Sequence, residues 1–134
     1  MVFADTSALF PLLDQDDVLH GSASRTWRDL RSAGDLIIST NYVMVETFVL
    51  VQNRLGLQAA KDLADSVFHL ILIEWVTPEV HQAGIDAVLA ASRRDLSLVD
   101  CISFAVMRRL GLSHAFAVDE HFREQGFDCL PAQG

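Results

Sequence analysis

Short apolar runs alternate along the chain with longer segments in which apolar residues recur every three or four positions. The runs predict strands at residues 2–4, 36–39, within 70–76, at 115–118 and, from a weaker pattern, at 127–130. The longer segments predict helices at residues 6–13, 22–32, 42–55, 58–69, 78–93 and 98–110. This alternation is typical of an α/β fold in which a mainly parallel sheet of four to five strands is wrapped by helices.

Glycine and proline positions support these helix boundaries. Gly34, Gly56 and Gly111 each follow a helical segment, at the place where glycine commonly ends a helix. Pro78 begins another segment, where its fixed φ suits the first helical turn. No internal repeat or linker interrupts the pattern, so we expect a single domain over residues 1–134.

The composition is typical of a globular protein whose cysteines are reduced. Apolar residues make up 51% of the 134 positions, enough for a sizeable core. Glu46 and Glu74 interrupt the longest apolar runs, and the start MVFAD lacks the basic and apolar parts of a signal peptide. Cys101 and Cys129 form neither a CxxC pair nor a zinc-type spacing. We therefore expect a cytoplasmic protein without a membrane span or disulfide.

The formal net charge of -8 argues against a nucleic-acid partner at first, because phosphate binding usually requires a basic surface. The arginines are nevertheless grouped, in a helical set at positions 25, 28 and 31 and in two adjacent pairs, Arg93 with Arg94 and Arg108 with Arg109. A solvated helix face explains each group taken alone. The two pairs are weak candidates for contact with a nucleic-acid backbone.

Four acidic residues are predicted to meet at one edge of the sheet. Asp5 and Asp119 each follow a predicted strand and precede a helix, and Glu46 lies near the second turn of the helix after residues 36–39. Asp100 lies in the first turn of a helix that leads back into the next strand. Because parallel strands joined by helices all end at the same edge, these side chains should lie close together, where open α/β sheets bind ligands.

Helix capping is the simpler explanation for three of these acids. Asp5 and Asp119 are suitable N-cap residues, and Ser97 with Asp100 fits a capping box. Glu46 stands too far inside its helix to be a cap, and its neighbours are almost all apolar, so we expect it to face inward. Its charge would then need a cation, a hydrogen-bond network or a proton, and a metal ion shared with the other acids is the simplest of these. Oxygen ligands alone favour Mg2+ or Mn2+ over zinc. His121, the histidine nearest to an acid, is interpreted as a surface residue.

The segments VFADTSAL, NYVMVE, SLVDCISFAVMRRLG and HAFAVDEHF, in this order and spacing, resemble the PIN domain, in particular its small bacterial VapC-type members. The resemblance covers essentially the whole chain. It implies a three-layer α/β/α sandwich and a Mg2+- or Mn2+-dependent endoribonuclease with one or two ions. The acidic metal and catalytic site would be formed by Asp5, Glu46, Asp100 and Asp119, with the first and third as the direct ligands.

The resemblance also implies supporting residues and partners. Ser7 and Ser97 are expected to support the site, and the part played by Glu120 stays open. Metal-activated water would hydrolyse the RNA phosphodiester without a covalent enzyme intermediate. Many small PIN proteins are toxins of toxin–antitoxin pairs, so an antitoxin partner and a homodimer are expected on resemblance alone.

Two other functions remain open. A receiver- or phosphatase-like phosphotransfer domain also collects aspartates and Mg2+ at a sheet edge, but Ser7 stands where a DxD phosphatase has its second aspartate. The only lysine, Lys61, lies in the middle of a predicted helix instead of near the last strands. A non-catalytic module that binds RNA or protein is the second alternative, and Glu46 is the residue that counts against it.

Overall fold

The computed structural model describes residues 1–132, so the last two residues of the predicted domain lie outside the described part. Five parallel strands form its sheet in the order β3-β2-β1-β4-β5. The strands are β1 (Val2–Ala4), β2 (Ile37–Thr40), β3 (Leu72–Glu74), β4 (His114–Phe116) and β5 (Asp128–Leu130). The predicted α/β fold with a central parallel sheet is confirmed, and the weak pattern at 127–130 contains a strand.

The helices in the described residues largely follow the periodic segments. They are α1 (Thr6–Leu13), α2 (His20–Ser32), α3 (Asn41–Leu55), α4 (Leu57–Asp62), α5 (Pro78–Ala91), α6 (Leu98–Leu110) and α7 (Glu120–Glu124). The predicted helix at 58–69 is wrong in part, because α4 continues as a π-helical turn, Leu63–Val67, and a 3-10 turn, Phe68–Leu70. The predicted helix at 78–93 ends early, since Ser92 takes a left-handed conformation with φ 54°.

An aromatic cluster fills the core between β1, α6 and α7. Phe3 and Phe122 are fully buried, and the Phe104 and Phe122 rings meet edge to face with their centroids 5.0 Å apart. Phe127 closes the cluster at 6.0 Å from Phe104. These rings attach the short helix α7 to the sheet, because burial of large aromatic side chains dominates the packing energy of such elements.

The strand order places a crevice at the centre of the sheet. From β1 the chain continues to β2 and β3 on one side, whereas β4 and β5 lie on the other. Phe3 accordingly pairs with Ile38 in β2 and with Ala115 in β4. Such a reversal opens a crevice at the carboxyl ends of the two central strands, here β1 and β4. No helix in residues 1–132 has the length and apolar character needed to cross a bilayer.

Candidate metal centre

Asp5 lies directly after β1, at the crevice. Its backbone N–H donates to the carbonyl of Phe116, the last residue of β4, at 3.0 Å, so it is fixed to both central strands. Its carboxylate caps α1 by accepting the Ser7 backbone N–H at 3.1 Å, and the residue is only 3% exposed. Burial raises the pKa of Asp5 to about 7, an effect that bonds from Ser7 oppose and the charges of Asp100 and Glu46 reinforce.

Asp100 occupies the first turn of α6. It forms the predicted capping box: its N–H donates to Ser97 Oγ at 3.0 Å, and its carboxylate accepts the Ser97 N–H at 3.3 Å. The residue is buried, and its pKa is raised by desolvation and by the charge of Asp119, with the bonds from Ser97 opposing the rise. Ser97 thus holds Asp100 in place through the capping box.

The position of Glu46 differs from the expectation that its side chain faces inward. The residue is solvent-exposed on α3, so the prediction that it faces inward among apolar neighbours is wrong. Two of those neighbours, Val45 and Val49, are themselves 63% and 46% exposed, which explains why apolar flanks misled the prediction. The pKa of Glu46 is nonetheless raised, first by desolvation and then by Asp100 and Asp119, against the lowering influence of the Thr6 hydroxyl. Its carboxylate therefore shares the electrostatic environment of the other acids.

Ser7 connects the turn of Asp119 to the first helix. Its Oγ accepts the backbone N–H groups of Val118 and Asp119 at 3.0 and 3.1 Å, which uses both acceptor positions of the hydroxyl. Asp119 caps α7 by accepting the His121 N–H at 2.9 Å, and its side chain is 33% exposed. Ser7 thus joins the turns that carry Asp5 and Asp119.

His121 is a member of the cluster that the sequence interpretation missed. One ligand atom each from Asp100, Asp119 and His121 lies within 4.8 Å of the others. The His121 side chain is 14% exposed, so it remains partly exposed, which agrees with its interpretation as a surface residue. Burial lowers its pKa, but the hydrogen bond to Glu124 and nearby carboxylates outweigh this and raise it. Its position in the first turn of α7, two residues after an acid, is the signal that could have indicated it.

The two arginine pairs occupy different parts of the molecule. Arg93 precedes α6 and pairs with Asp95 and with Glu124 of α7, beside the acids. Arg108 lies at the other end of α6, about 12 Å along the helix from Asp100 at 1.5 Å per residue, where it contacts Gln125 and the Phe127 ring. Arg94 and Arg109 are exposed. Only the first pair therefore lies near the acidic crevice.

The chemistry of these residues fits a hard divalent cation. Asp5, Glu46 and Asp100 all have raised pKa values, because burial and mutual repulsion disfavour their ionised forms. A bound cation would remove this penalty, and carboxylate oxygens are the ligands that Mg2+ and Mn2+ prefer.

Comparison with known proteins gives a family for this arrangement. Two curated relatives, from the CDC 1551 / Oshkosh and H37Rv strains of Mycobacterium tuberculosis, are named 23S rRNA-specific endonuclease VapC20. Each is 34% identical to this chain over 128 residues, 95% of both proteins. The crystal structure of Mycobacterium tuberculosis VapC20, described as a sarcin-ricin loop cleaving toxin, is similar with a TM-score of 0.83 and 32% identity, covering 95% of this chain and 96% of that chain. A family model described as the PIN domain matches residues 2–128, which include all four acids, and the chain therefore belongs to the PIN domain family.

Proposed function

We propose that this protein is a Mg2+- or Mn2+-dependent endoribonuclease whose metal centre is formed by Asp5, Glu46, Asp100 and Asp119. The observation that carries the proposal is the grouping of carboxylates at the β1–β4 crevice, three of them with pKa values raised first by desolvation and then by neighbouring acids. Membership of the PIN family and similarity to proteins named as RNA endonucleases support the same activity.

The site residues divide into ligands and supports. Asp5 and Asp100, the most buried of the acids, would hold the cation directly, while Glu46 and Asp119 complete the oxygen donors from the more open side. A bound ion would activate water for attack on a phosphodiester and neutralise charge on the phosphate. Ser7 and Ser97 hold the turns that carry three of the acids in place through hydrogen bonds with backbone N–H groups. These acids are Asp5, Asp100 and Asp119.

The proposed substrate is a structured ribosomal RNA loop. The relatives are named for 23S rRNA and for cleavage of the sarcin-ricin loop, which makes the same loop the first substrate to test here. Arg94 is exposed near the crevice and is available for a phosphate, whereas Arg93 already pairs with two carboxylates. The arginines at 108 and 109 could contact only RNA that extends well beyond the acids.

Exposed apolar surface supports the expected protein partners. Val45 and Val49 flank Glu46, so an antitoxin segment that covered them would also block the acids. Leu72 and Ile73 on the edge strand β3, with Trp75 after it, are 51%, 36% and 69% exposed, which suits a contact between two copies. Toxin activity, antitoxin binding and homodimer formation are parts of the proposal. A reduced cytoplasmic setting is also proposed, consistent with the free, buried Cys101 and Cys129.

The decisive experiment compares cleavage of a 23S rRNA fragment by the wild type, by Asp100→Asn and by Asp29→Asn. Asp29 is an exposed aspartate on α2, so its variant removes the same charge away from the crevice. We expect Mg2+- or Mn2+-dependent cleavage by the wild type and by Asp29→Asn. Asp100→Asn should cleave at least about 100-fold more slowly, a loss of about 2.7 kcal/mol in transition-state stabilisation.

Folding of the variant is checked by its melting temperature without metal, which should hold or rise because a buried charge is removed. If the wild type cleaves neither this fragment nor a mixed RNA pool with either ion, the non-catalytic binding module becomes the better description. Trapping of an aspartyl phosphate would instead indicate the phosphotransfer alternative.

A further inference from the structure

The helix α7, which Asp119 caps, is too short to be stable without contacts to the rest of the protein. α7 contains five residues, and isolated helices of this length are not stable in water. On one side, Phe122 is fully buried against Phe3, Phe104 and Phe127. These rings attach α7 to the core, but they leave the rotation and tilt of its polar first turn to be set by other contacts.

Besides the Ser7 hydroxyl, which holds the backbone of Val118 and Asp119, those contacts are made with the loop before α6. Glu124 Oε2 accepts a hydrogen bond from Arg93 Nη1 at 3.0 Å and lies 3.3 Å from His121 Nδ1. Arg93 also donates to both carboxylate oxygens of Asp95, from Nε at 3.3 Å and from Nη2 at 3.0 Å. His121 Nε2 lies 3.1 Å from the Asp95 carbonyl oxygen. Residues 93 and 95 are therefore joined to α7 at two of its polar residues, His121 and Glu124.

The contacts of His121 assign it a role other than that of a metal ligand. Its Nε2 lies 3.1 Å from the Asp95 carbonyl oxygen, and its Nδ1 lies 3.3 Å from Glu124 Oε2. Both ring nitrogens are thus engaged by the protein, although the ring lies within the cluster that includes Asp100 and Asp119.

The joined segments are the two that carry acids of the proposed metal centre. Asp100 follows the loop by one helical turn, held by Ser97, and Asp119 begins α7. We propose that Arg93, Glu124 and His121 form a strut, termed the α7 strut, which fixes the separation of Asp100 and Asp119 and so sets the strength with which Mg2+ or Mn2+ is held. This inference rests on the proposed metal centre, and the three members are positioning residues that act through the two acids.

If only charge mattered, substitution of Arg93 would change the metal affinity in the direction opposite to that expected for the strut. Arg93 is a cation beside a cation site, so removal of its charge should strengthen metal binding if only Coulomb interactions matter. Removal of a geometric support should weaken binding instead, as loss of residues that orient metal ligands generally does. The direction of the change in Arg93→Gln therefore separates the two effects.

The test measures Mn2+ binding to metal-free protein by electron paramagnetic resonance, without RNA or turnover. The variants are Arg93→Gln, Glu124→Gln and their double substitution. The matched control is Arg94→Gln, since Arg94 is adjacent and equally charged but makes no ion pair within residues 1–132. We expect each strut variant to bind Mn2+ roughly threefold to tenfold more weakly, less than for a buried support because these pairs are exposed.

Further comparisons complete the test. The double variant should bind no more weakly than either single variant, because both remove the same connection. Arg94→Gln should bind as the wild type does or slightly more tightly. The metal-free melting temperatures of all four variants should agree with the wild type within about 3 °C, as expected for exposed ion pairs.

Three results would overturn the strut. Binding by Arg93→Gln that is equal to or tighter than that of the wild type would show that charge alone acts. The same conclusion would follow if the two single substitutions changed Mn2+ affinity in opposite directions and the double variant showed the sum of the two changes. Loss of binding in His121→Ala with no change in Arg93→Gln would identify His121 as a ligand. A wild type that binds no Mn2+ would overturn the proposed metal centre itself, which is a different outcome from failure of the strut alone.

Discussion

At the scale of single residues, Asp5 shows how one carboxylate combines a structural and a chemical role. It caps α1, yet it is so buried that its ionised form is disfavoured and its pKa rises to about 7. An uncharged hydrogen-bond acceptor could serve the cap equally well, so the charge is retained at a cost in stability. Such a cost is typical of functional sites, where the fold maintains a group that a ligand later stabilises.

This cost predicts how Asp5→Asn changes stability with pH in metal-free protein. The folded pKa lies above the ordinary value of 3.8, so the unfolded chain loses its proton first and the wild type loses stability as pH rises from about 4 to about 7. The amide that replaces the carboxyl group does not titrate. We expect the variant to gain melting temperature relative to the wild type through this interval, by about 3 °C or more, and to keep a constant advantage above it. Calorimetry from pH 4 to pH 8 in the presence of a chelator measures the difference.

The same comparison can also contradict this prediction. A variant whose melting temperature differs from that of the wild type by the same amount at pH 4 and pH 8 would mean that Asp5 ionises normally in the folded state. Asp35→Asn, which replaces an exposed aspartate on the loop before β2, serves as the control, and its curve should run parallel to that of the wild type.

The residue scale also shows where sequence reasoning succeeds and fails. Asp5 and Asp100 could be placed because a strand end and a capping box are local patterns. The exposure of Glu46 could not be predicted, because apolar neighbours on a helix do not reveal whether other parts of the protein cover them. His121 was missed for a similar reason: its place beside Asp100 and Asp119 depends on the fold, and its contact with Asp95 joins distant parts of the chain.

At the scale of elements, the site depends on how α6 packs against α5. Gly84 in α5 is buried, and a Cβ at this position would lie 2.5 Å from Ile102 Cγ1 and 3.3 Å from Leu98 Cδ1 in α6. The two helices therefore approach as closely as they do because residue 84 lacks a side chain. Since Asp100 lies between these two α6 residues in sequence, the same contact fixes the helix that presents it.

Gly84→Ala should therefore destabilise the protein even though alanine favours helices. The added methyl group must displace the branched Ile102 side chain or separate the helices, at a cost of about 1–3 kcal/mol. Gly21→Ala in α2 is the matched control, because its Cβ would meet only the end of the Arg25 side chain at 3.9 Å. We expect that variant to be neutral or stabilised by up to about 1 kcal/mol. Urea unfolding of both variants measures the two effects, and equal stability of the two would contradict the close contact.

Element boundaries were predictable only where local chemistry determines them. Residues 98–110 were predicted correctly because Ser97 begins the helix with a capping box and Gly111 ends it with positive φ. The segment after α4 has no such signals, and its change from α to π to 3-10 turns depends on how Leu63 and Val67 are buried. The periodicity of apolar residues cannot specify such a change, because it reports which face is buried and not the hydrogen-bond register.

At the scale of the whole molecule, the net charge and the metal centre are linked. The chain carries a formal charge of -8, and three carboxylates at one edge have raised pKa values. Binding of a divalent cation at this edge reduces both the local repulsion and the overall negative charge. It should therefore act on global stability as well as on activity.

We expect Mn2+ to raise the melting temperature, and to raise it more at pH 8 than at pH 5. At 100 times its dissociation constant, a ligand of the folded state alone adds about 2.7 kcal/mol of stability. The pH effect follows because protons compete with the cation for Asp5 and the other acids with raised pKa values. Thermal melts with Mn2+ or chelator at both pH values measure it, with Asp100→Asn as the variant that should lose most of the gain. A gain independent of pH would indicate binding to surface groups with ordinary pKa values.

The overall architecture was more predictable than the details of the site. Alternating strands and helices imply parallel pairing, and parallel pairing brings the strand ends to one edge. The order of the strands was not predicted, and it is this order that places β1 between β2 and β4.

That central position of β1 also has a consequence for how the protein is made. The ribosome synthesises Asp5 well before β4, its neighbour in the sheet, and before Asp119. A polypeptide whose synthesis stops before residue 114 lacks one side of the β1–β4 crevice and the fourth acid. Products whose translation is interrupted between these segments are therefore without the complete proposed metal centre, which can assemble only after Asp119 has been synthesised.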